Sequence, residues 1–442
     1  MNINDVLNIC KGELLNGNLK INFNGFSKDT RSIEKGNVYV GIKGENFDGN
    51  KFYKEAFNKG ASLCILDNAS VIDKDNKLPI ILVDDSIDAI TKLAKYKRSL
   101  YDIPVIAITG SVGKTSVKDM ITAVLSTSYK VLSTKGNMNN HIGVPLTILN
   151  LDKHDALVIE MGMNHFNELH NLSMIANPTM AVITNIGTAH IGNLGSRENI
   201  LKAKLEILDG IKENGILFIN NDNALLHTVK YDNLVTIGIN NKSDYMAKNI
   251  SIAPFKASFK INDNSISIPI GNLEFIYNSL FAYAVGNKLG IDNNKIVKAL
   301  KDFKLTPHRL EVINCKDYTI IDDTYNASLD SIKSSLSLLS KIETRKVFIF
   351  GDILETGDFE KEIHKNVADI CIDDNIDLVI CVGKLSLETY NVLKNSKFDS
   401  YHFNNNDELI KSIDKIINKG DTILIKGSHA MNLIEIVNYL KK

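Results

Sequence analysis

The residues best suited to chemistry in this 442-residue chain fall in one run, Val105-Ile-Ala-Ile-Thr-Gly-Ser-Val-Gly-Lys-Thr-Ser116. Its glycines free the backbone to curl, so Thr109, Gly110, Ser111, Val112 and Gly113 can turn N–H groups toward a polyphosphate. Lys114 can then reach the outer phosphates and Thr115 can hold Mg²⁺, with Ser116 beside it. The general phosphate-loop pattern has a glycine where Ile108 stands, so the match is to a tighter form. A mere strand-to-helix turn would need the glycines but leaves Lys114 and Thr115 unexplained.

Other candidates gather at predicted strand ends. Glu160 closes one apolar run and His190 follows another; both are sensible cation ligands that could approach Thr115. Lys204, judged by pattern alone, reads as a solvated helix lysine. Asn137, Asn139 and Asn140 precede Pro145, expected to open a helix, and their amides suit either a neutral substrate contact or turns. Arg309 stands at a domain junction, where its planar fork could grip a phosphate. Asp323 caps a strand, as acids that bind ribose do, and Asn326 follows it. Lys426 and Ser428 lie between a strand and a helix, a place for an anion such as a carboxylate. Near the start, Ser27, Thr30 and Arg31, then Asp48 and Gly49, would suit hydroxyls or a pyrophosphate, although ordinary α/β turns look alike.

The elements that must position these groups alternate. A chain of this length predicts about three domains of roughly 150 residues, and 44% hydrophobic content supplies their cores. The expected division is 1–98, 99–303 and 304–442: a small α/β domain, a central doubly wound parallel sheet carrying the phosphate loop, and a Rossmann-like third domain. Central strands are predicted at 105–108, 130–134, 156–159, 180–184 and 216–219, with an antiparallel excursion over 250–270 and helices at 279–289 and 293–303. Third-domain strands are predicted at 318–322, 346–350, 378–382 and 422–425.

Bulk properties exclude several classes. A net charge of -1 with 23% charged residues argues against nucleic acid and membrane-surface partners. No apolar run nears the roughly 18 residues that span a bilayer, and the start lacks a leader pattern, so the expectation is a cytoplasmic protein. Five scattered cysteines without a C-x-x-C pair predict buried free thiols.

Taken together, the motifs resemble the ATP-dependent Mur ligases. They are DTRS and GENFDG in the first domain; TGSVGKTS, NMNNHIGVPLT, EMGMN, TNIGTAHIGNLGS and AKLEI in the second; and PHRLE, DDTYNAS, GDILETGDFEKEIH and KGSHAMN in the third. DDTYNAS and GDILETG are similar to the branch that adds D-alanyl-D-alanine. The resemblance implies UDP-N-acetylmuramoyl-tripeptide held by the first domain, ATP and Mg²⁺ by the second, and D-alanyl-D-alanine by the third, in a monomer. It implies Thr115, Glu160 and His190 as Mg²⁺ ligands, and Lys204 as a lysine carbamylated by CO₂. By the same token Lys114, His190, Lys204 and Arg309 form the catalytic set, Arg309 meets the γ-phosphate, Asp323 the ribose and Asn326 and Asn278 the nucleotide. Lys426 and Ser428 fall on the acceptor side. Departures stand at Glu274-Phe275, in place of a histidine-asparagine pair that helps hold adenine, and at Asn50, Phe166-Asn167, Leu329, Thr356 and His429. Another Mur-type amide ligase, a phosphate-loop kinase or NTPase, and an inactive nucleotide-binding scaffold are the alternatives.

Overall fold

A computed structural model describes residues 1–442 except Asn46 and Glu355. GENFDG and GDILETG therefore each contain one position outside the described residues.

The strands form three sheets. The first has β1 (Glu13–Leu15), β2 (Phe26–Ser27), β3 (Val38–Val40), β4 (Leu63–Leu66) and β5 (Ile80–Leu82), in the order β1-β5-β4-β3-β2. All its pairs are parallel except β1 with β5.

The second sheet has β6 (Val105–Thr109), β7 (Val131–Ser133), β8 (Ala156–Glu160), β9 (Met180–Ile183), β10 (Ile216–Asn220), β11 (Leu234–Gly238), β12 (Tyr245–Ala253), β13 (Lys256–Ile261) and β14 (Asn264–Ile268). Their order is β14-β13-β12-β11-β10-β9-β6-β8-β7. Parallel pairing of β6 and β7 with β8 gives way to antiparallel β12-β13-β14, the excursion expected from the alternation over 250–270.

The third sheet has β15 (Glu311–Asn314), β16 (Thr319–Asp322), β17 (Lys346–Gly351), β18 (Leu378–Val382), β19 (Ser400–Phe403) and β20 (Thr422–Lys426), ordered β15-β16-β20-β17-β18-β19. It is parallel apart from the edge strand β15, and the apolar residues of its inner strands β16, β17, β18 and β20 are fully buried, as strands covered on both faces must be.

Packing divides the chain into two units: residues 1–109, 129–181 and 205–217 form one, and 110–128, 182–204 and 218–442 the other. In the first, helix Ser86–Ser99 is started by Asp85, whose carboxylate accepts from the N–H groups of Ile87 and Asp88. In the second, helix Lys114–Leu125 packs on helix Leu273–Lys288, which Asn272 caps.

Several expectations shift. The helix expected to open at Pro145 begins at Gly143, because a first-turn proline costs no intrahelical hydrogen bond. Helix 279–289 begins six residues earlier, at Leu273. Strands β11, β15 and β19 lie outside the expected set; β15 and β19 are edge strands that pair on one side. All five cysteines are free, but only Cys64, Cys371 and Cys381 are buried; Cys10, the last residue of helix Ile3–Cys10, and Cys315, next after β15, stay partly accessible. Among the described residues no helix is long and apolar enough to cross a membrane.

Candidate nucleotide and metal site

The loop after β6 is built for close approach. Gly113 has φ 84 and ends the loop in the left-handed region, where glycine carries no Cβ penalty, and no side chain caps the helix that starts at Lys114. A Cβ on Gly113 would lie 3.1 Å from Asn278 Oδ1, and one on Gly110 would overlap Thr184 Oγ1. The loop is held from outside: Ser111 N–H donates to Asn185 O (3.1 Å), Val112 N–H to Asn185 Oδ1 (2.9 Å), and Thr184 Oγ1 to Val112 O (2.6 Å). Lys114 Nζ donates to Gly110 O at 2.7 Å, which keeps the ammonium over the loop.

Thr115 Oγ1 accepts a 2.8 Å hydrogen bond from Arg309 Nη2. Arg309 is carried by a turn with two left-handed residues, His308 (φ 64) and Leu310 (φ 53), a conformation costing roughly 1–3 kcal/mol each. The surroundings fix it: Leu310 N–H donates to Asp323 Oδ1 (3.3 Å), His308 N–H to Glu311 Oε2 (3.1 Å), and Thr306 Oγ1 to Asp119 of the loop's helix. His308 Nδ1 lies 2.8 Å from Asp322 Oδ2, and with Glu311 these three offer ligand atoms within 4.8 Å of one another. Direct bonding between His308 and Asp322 makes the trio a support for the turn.

Lys204 is 1% exposed, in helix Arg197–Leu205. Burial, and then the Lys114 charge, push its amine far below the ordinary lysine range. Pattern had suggested a solvated lysine; the structure buries it. His190 takes φ 64 at the start of the short helix Ile191–Leu194. Glu160 belongs to the other unit, buried at the end of β8, where Oε1 accepts from Asn139 Nδ2 (2.8 Å) and its N–H donates to Thr134 Oγ1 (3.0 Å). Asn140 Oδ1 accepts from Ile142 and Gly143 N–H and so starts a helix, whereas Asn137 is exposed.

In the third sheet the strands are parallel, so β16, β17 and β20 deliver Asp323, Asp352 and Lys426 to one edge. Lys426 Nζ donates to Asp323 Oδ2 (2.5 Å) and Asn326 O (3.0 Å), and Ser335 Oγ also donates to Asp323 Oδ2 (2.6 Å). Asp323 and Lys426, expected as separate ligand contacts, are therefore partners of one another. Ser428 Oγ accepts from Leu354 N–H (2.9 Å), and Asn326 Oδ1 from His429 N–H (3.3 Å).

The first sheet's candidates hold each other. Ser27 Oγ donates to Asp29 O (3.1 Å), Thr30 Oγ1 donates to Glu55 Oε1 (2.8 Å), and Arg31 pairs with Asp29, whose carboxyl it holds down to about 2. Asp48 accepts from Asn50 and Asn68, and a Cβ on Gly49 would overlap Ile42 O. Glu274, at the start of its helix, has its carboxyl pushed up by burial and by Asp330; Asn278 is buried one turn on, against the phosphate loop.

Sequence reasoning missed Thr184, Asn185 and Asp330. The first two sit inside TNIGTAHIGNLGS, where a hydroxyl and an amide directly after an apolar strand were the available signal. Asp330 accepts from Thr188 N–H (3.0 Å) and Oγ1 (3.2 Å), 142 positions away, and nothing local marks it.

The donor set fits a nucleotide triphosphate and a divalent cation. Arg309 Nε is buried and has no hydrogen-bond partner, a cationic donor awaiting an anion. Thr115 at a helix start supplies a hard oxygen ligand, and the imidazole of His190 lies in the same unit.

Comparison with known proteins agrees. Residues 108–286 match the Mur ligase middle domain, and residues 308–429 the Mur ligase glutamate ligase domain. The UDP-N-acetylmuramoyl-tripeptide–D-alanyl-D-alanine ligase of Bacillus subtilis is 38% identical, over 99% of this chain and 98% of its own. The Escherichia coli ligase of that name is 32% identical, over 97% of each. Among solved structures, MurF of Acinetobacter baumannii superposes with a TM-score of 0.89 at 27% identity, covering 100% of this chain and 99% of that one. MurF of Thermotoga maritima in complex with ADP gives 0.80 at 28% identity, over 96% and 98%. The chain belongs to the Mur ligase family.

Proposed function

We infer that this protein is an ATP-dependent ligase that joins D-alanyl-D-alanine to the C-terminal carboxylate of UDP-N-acetylmuramoyl-tripeptide, with ADP and phosphate as the other products, in peptidoglycan precursor synthesis. The hydrogen bond between Arg309 and Thr115 is the observation that carries this reading beyond family likeness: it brings an arginine fork from the turn before β15 to the start of the phosphate-loop helix.

A carboxylate and an amine do not condense in water, because the carboxylate lacks a leaving group. The tripeptide carboxylate therefore attacks the γ-phosphorus of ATP, breaking the bond to ADP and forming an acyl phosphate. The free amine of the dipeptide then attacks the acyl carbon, the C–O bond breaks, phosphate leaves, and the amine loses its proton. No side-chain nucleophile takes part. Lys114 and Arg309 stabilise charge that grows on the transferring phosphoryl oxygens, where preorganised cations act most strongly. The helix start at Lys114 holds the phosphates behind it, whereas the N–H groups of Ser111 and Val112, expected to face the polyphosphate, are given to Asn185; water exclusion protects the acyl phosphate.

Thr115 and His190 would hold Mg²⁺, with Glu160 the further ligand that the resemblance implies, and the ion would supply neutralisation of phosphate charge. Lys204 suits carbamylation: its buried amine is unfavourable as a cation, and addition of CO₂ makes an anion that supports the metal. Asn278, Asp323 and Asn326 serve the nucleotide side, Lys426 and Ser428 the dipeptide side, Asn137, Asn139 and Asn140 the peptide, and Ser27, Thr30, Arg31, Asp48 and Gly49 the UDP end. The division 1–98, 99–303 and 304–442 follows the three sheets. A cytoplasmic monomer completes the reading.

The test is phosphate release from ATP with the UDP-linked tripeptide and D-alanyl-D-alanine, singly and together. Release that requires both supports the ligase. Release with one or neither points to a kinase or NTPase, and none at all to a scaffold.

A further inference from the structure

We propose that Tyr325 is the positioning residue for Arg309, its ring face presenting the guanidinium to Thr115 and the transferring phosphate. This rests on the reading of Arg309 given above. The Arg309 guanidinium carbon lies 3.8 Å from the centroid of the Tyr325 ring. A carboxylate in that place would occupy the arginine's in-plane donors and cancel its charge. A ring face holds the plane and leaves the edge donors free, because the attraction acts through the π-system. The donor pattern agrees: Nη2 reaches Thr115 and Nε has no partner, although it is buried.

The ring is itself well anchored. Tyr325 N–H donates to His308 O (3.2 Å), so the residue is tied to the strained turn that carries Arg309. His429 lies along the ring, 5.9 Å between centroids at 45°, and its N–H donates to Asn326 Oδ1. Tyr325 thus stands between the arginine and the loop after β20, and fixes one against the other.

The experiment compares kcat and each KM for the full chain carrying Tyr325→Leu, Tyr325→Phe or Arg309→Ala, with melting temperatures as the folding check. Loss of the π face in Tyr325→Leu lowers kcat roughly tenfold while KM for both peptide substrates stays within about twofold; Tyr325→Phe restores kcat to within about threefold of the parent. If Tyr325→Leu does not fold, Tyr325→Met fills the space without a π face and carries the same expectation. The proposal is overturned if the aliphatic variant keeps full kcat while Arg309→Ala loses it, or if Tyr325→Phe falls as far as Tyr325→Leu. Full kcat in Arg309→Ala instead overturns the reading of Arg309 itself.

Discussion

Arg309 and Thr115 are 194 positions apart and joined by a 2.8 Å hydrogen bond from Nη2 to Oγ1. The arginine belongs to a strained turn before β15 and the threonine to the first turn of the helix after the phosphate loop. Sequence distance says nothing of this pairing; the tie between Thr306 and Asp119 of the same helix reinforces it.

Lys114 and Lys204 share one electrostatic environment, and their loss should differ in kind. Lys114→Ala removes a cation that meets the phosphoryl group and should cost roughly 10²–10³ in kcat or more. Lys204→Ala should also reduce turnover heavily, but added acetate should restore part of it, since the missing part is a carboxylate. Steady-state rates with and without acetate check this; full activity of Lys204→Ala would remove the carbamate.

Asp330 orders the backbone that leads to His190 by accepting from Thr188 N–H and Oγ1. Asp330→Ala leaves both donors without that carboxylate and should lower stability by about 1.5–3 kcal/mol, read by urea unfolding. A change near zero would mean that the loop finds other acceptors.

His364 makes the third sheet's edge sensitive to acid. Its Nε2 accepts from Ile353 N–H (3.0 Å), so Nδ1 carries the proton that meets Glu360 O (2.6 Å). Burial holds its pKa below the ordinary 6.5. The unfolded chain therefore takes up a proton more readily. Stability from this residue is whole above about pH 6.5 and is lost as pH falls from there through the folded value. Melting temperatures between about pH 7 and 5 should fall less steeply in His364→Gln than in the parent; equal slopes would contradict the assignment.

The elements that buried, β-branched runs dictate were legible in the sequence: β6, β8, β17, β18 and β20 sit within a residue or two of the expected limits. Edge strands β15 and β19 pair on one side and need no continuous apolar run, so they left no such mark. In the site, glycines, Lys114 and Thr115 announce themselves because phosphate chemistry demands them consecutively. Partners brought by tertiary folding do not. Asp330 looks like any acid in a helix's first turn, and Tyr325 like any tyrosine in a loop. Lys204 reads as a surface residue until packing removes it from water, since its helix pattern contains lysines at both Lys202 and Lys204. Asp323 and Lys426 were each legible as polar groups at strand ends, but not as each other's ion pair.

The central claim is that the tripeptide carboxylate is activated by direct transfer of the γ-phosphoryl group. The direct measurement uses UDP-N-acetylmuramoyl-tripeptide whose terminal carboxylate carries ¹⁸O in both oxygens, with unlabelled ATP and D-alanyl-D-alanine, and mass spectrometry of the released phosphate. An acyl phosphate requires one ¹⁸O in each phosphate formed, with the other retained in the new amide. Phosphate without label, formed while the amide product accumulates, would contradict the account.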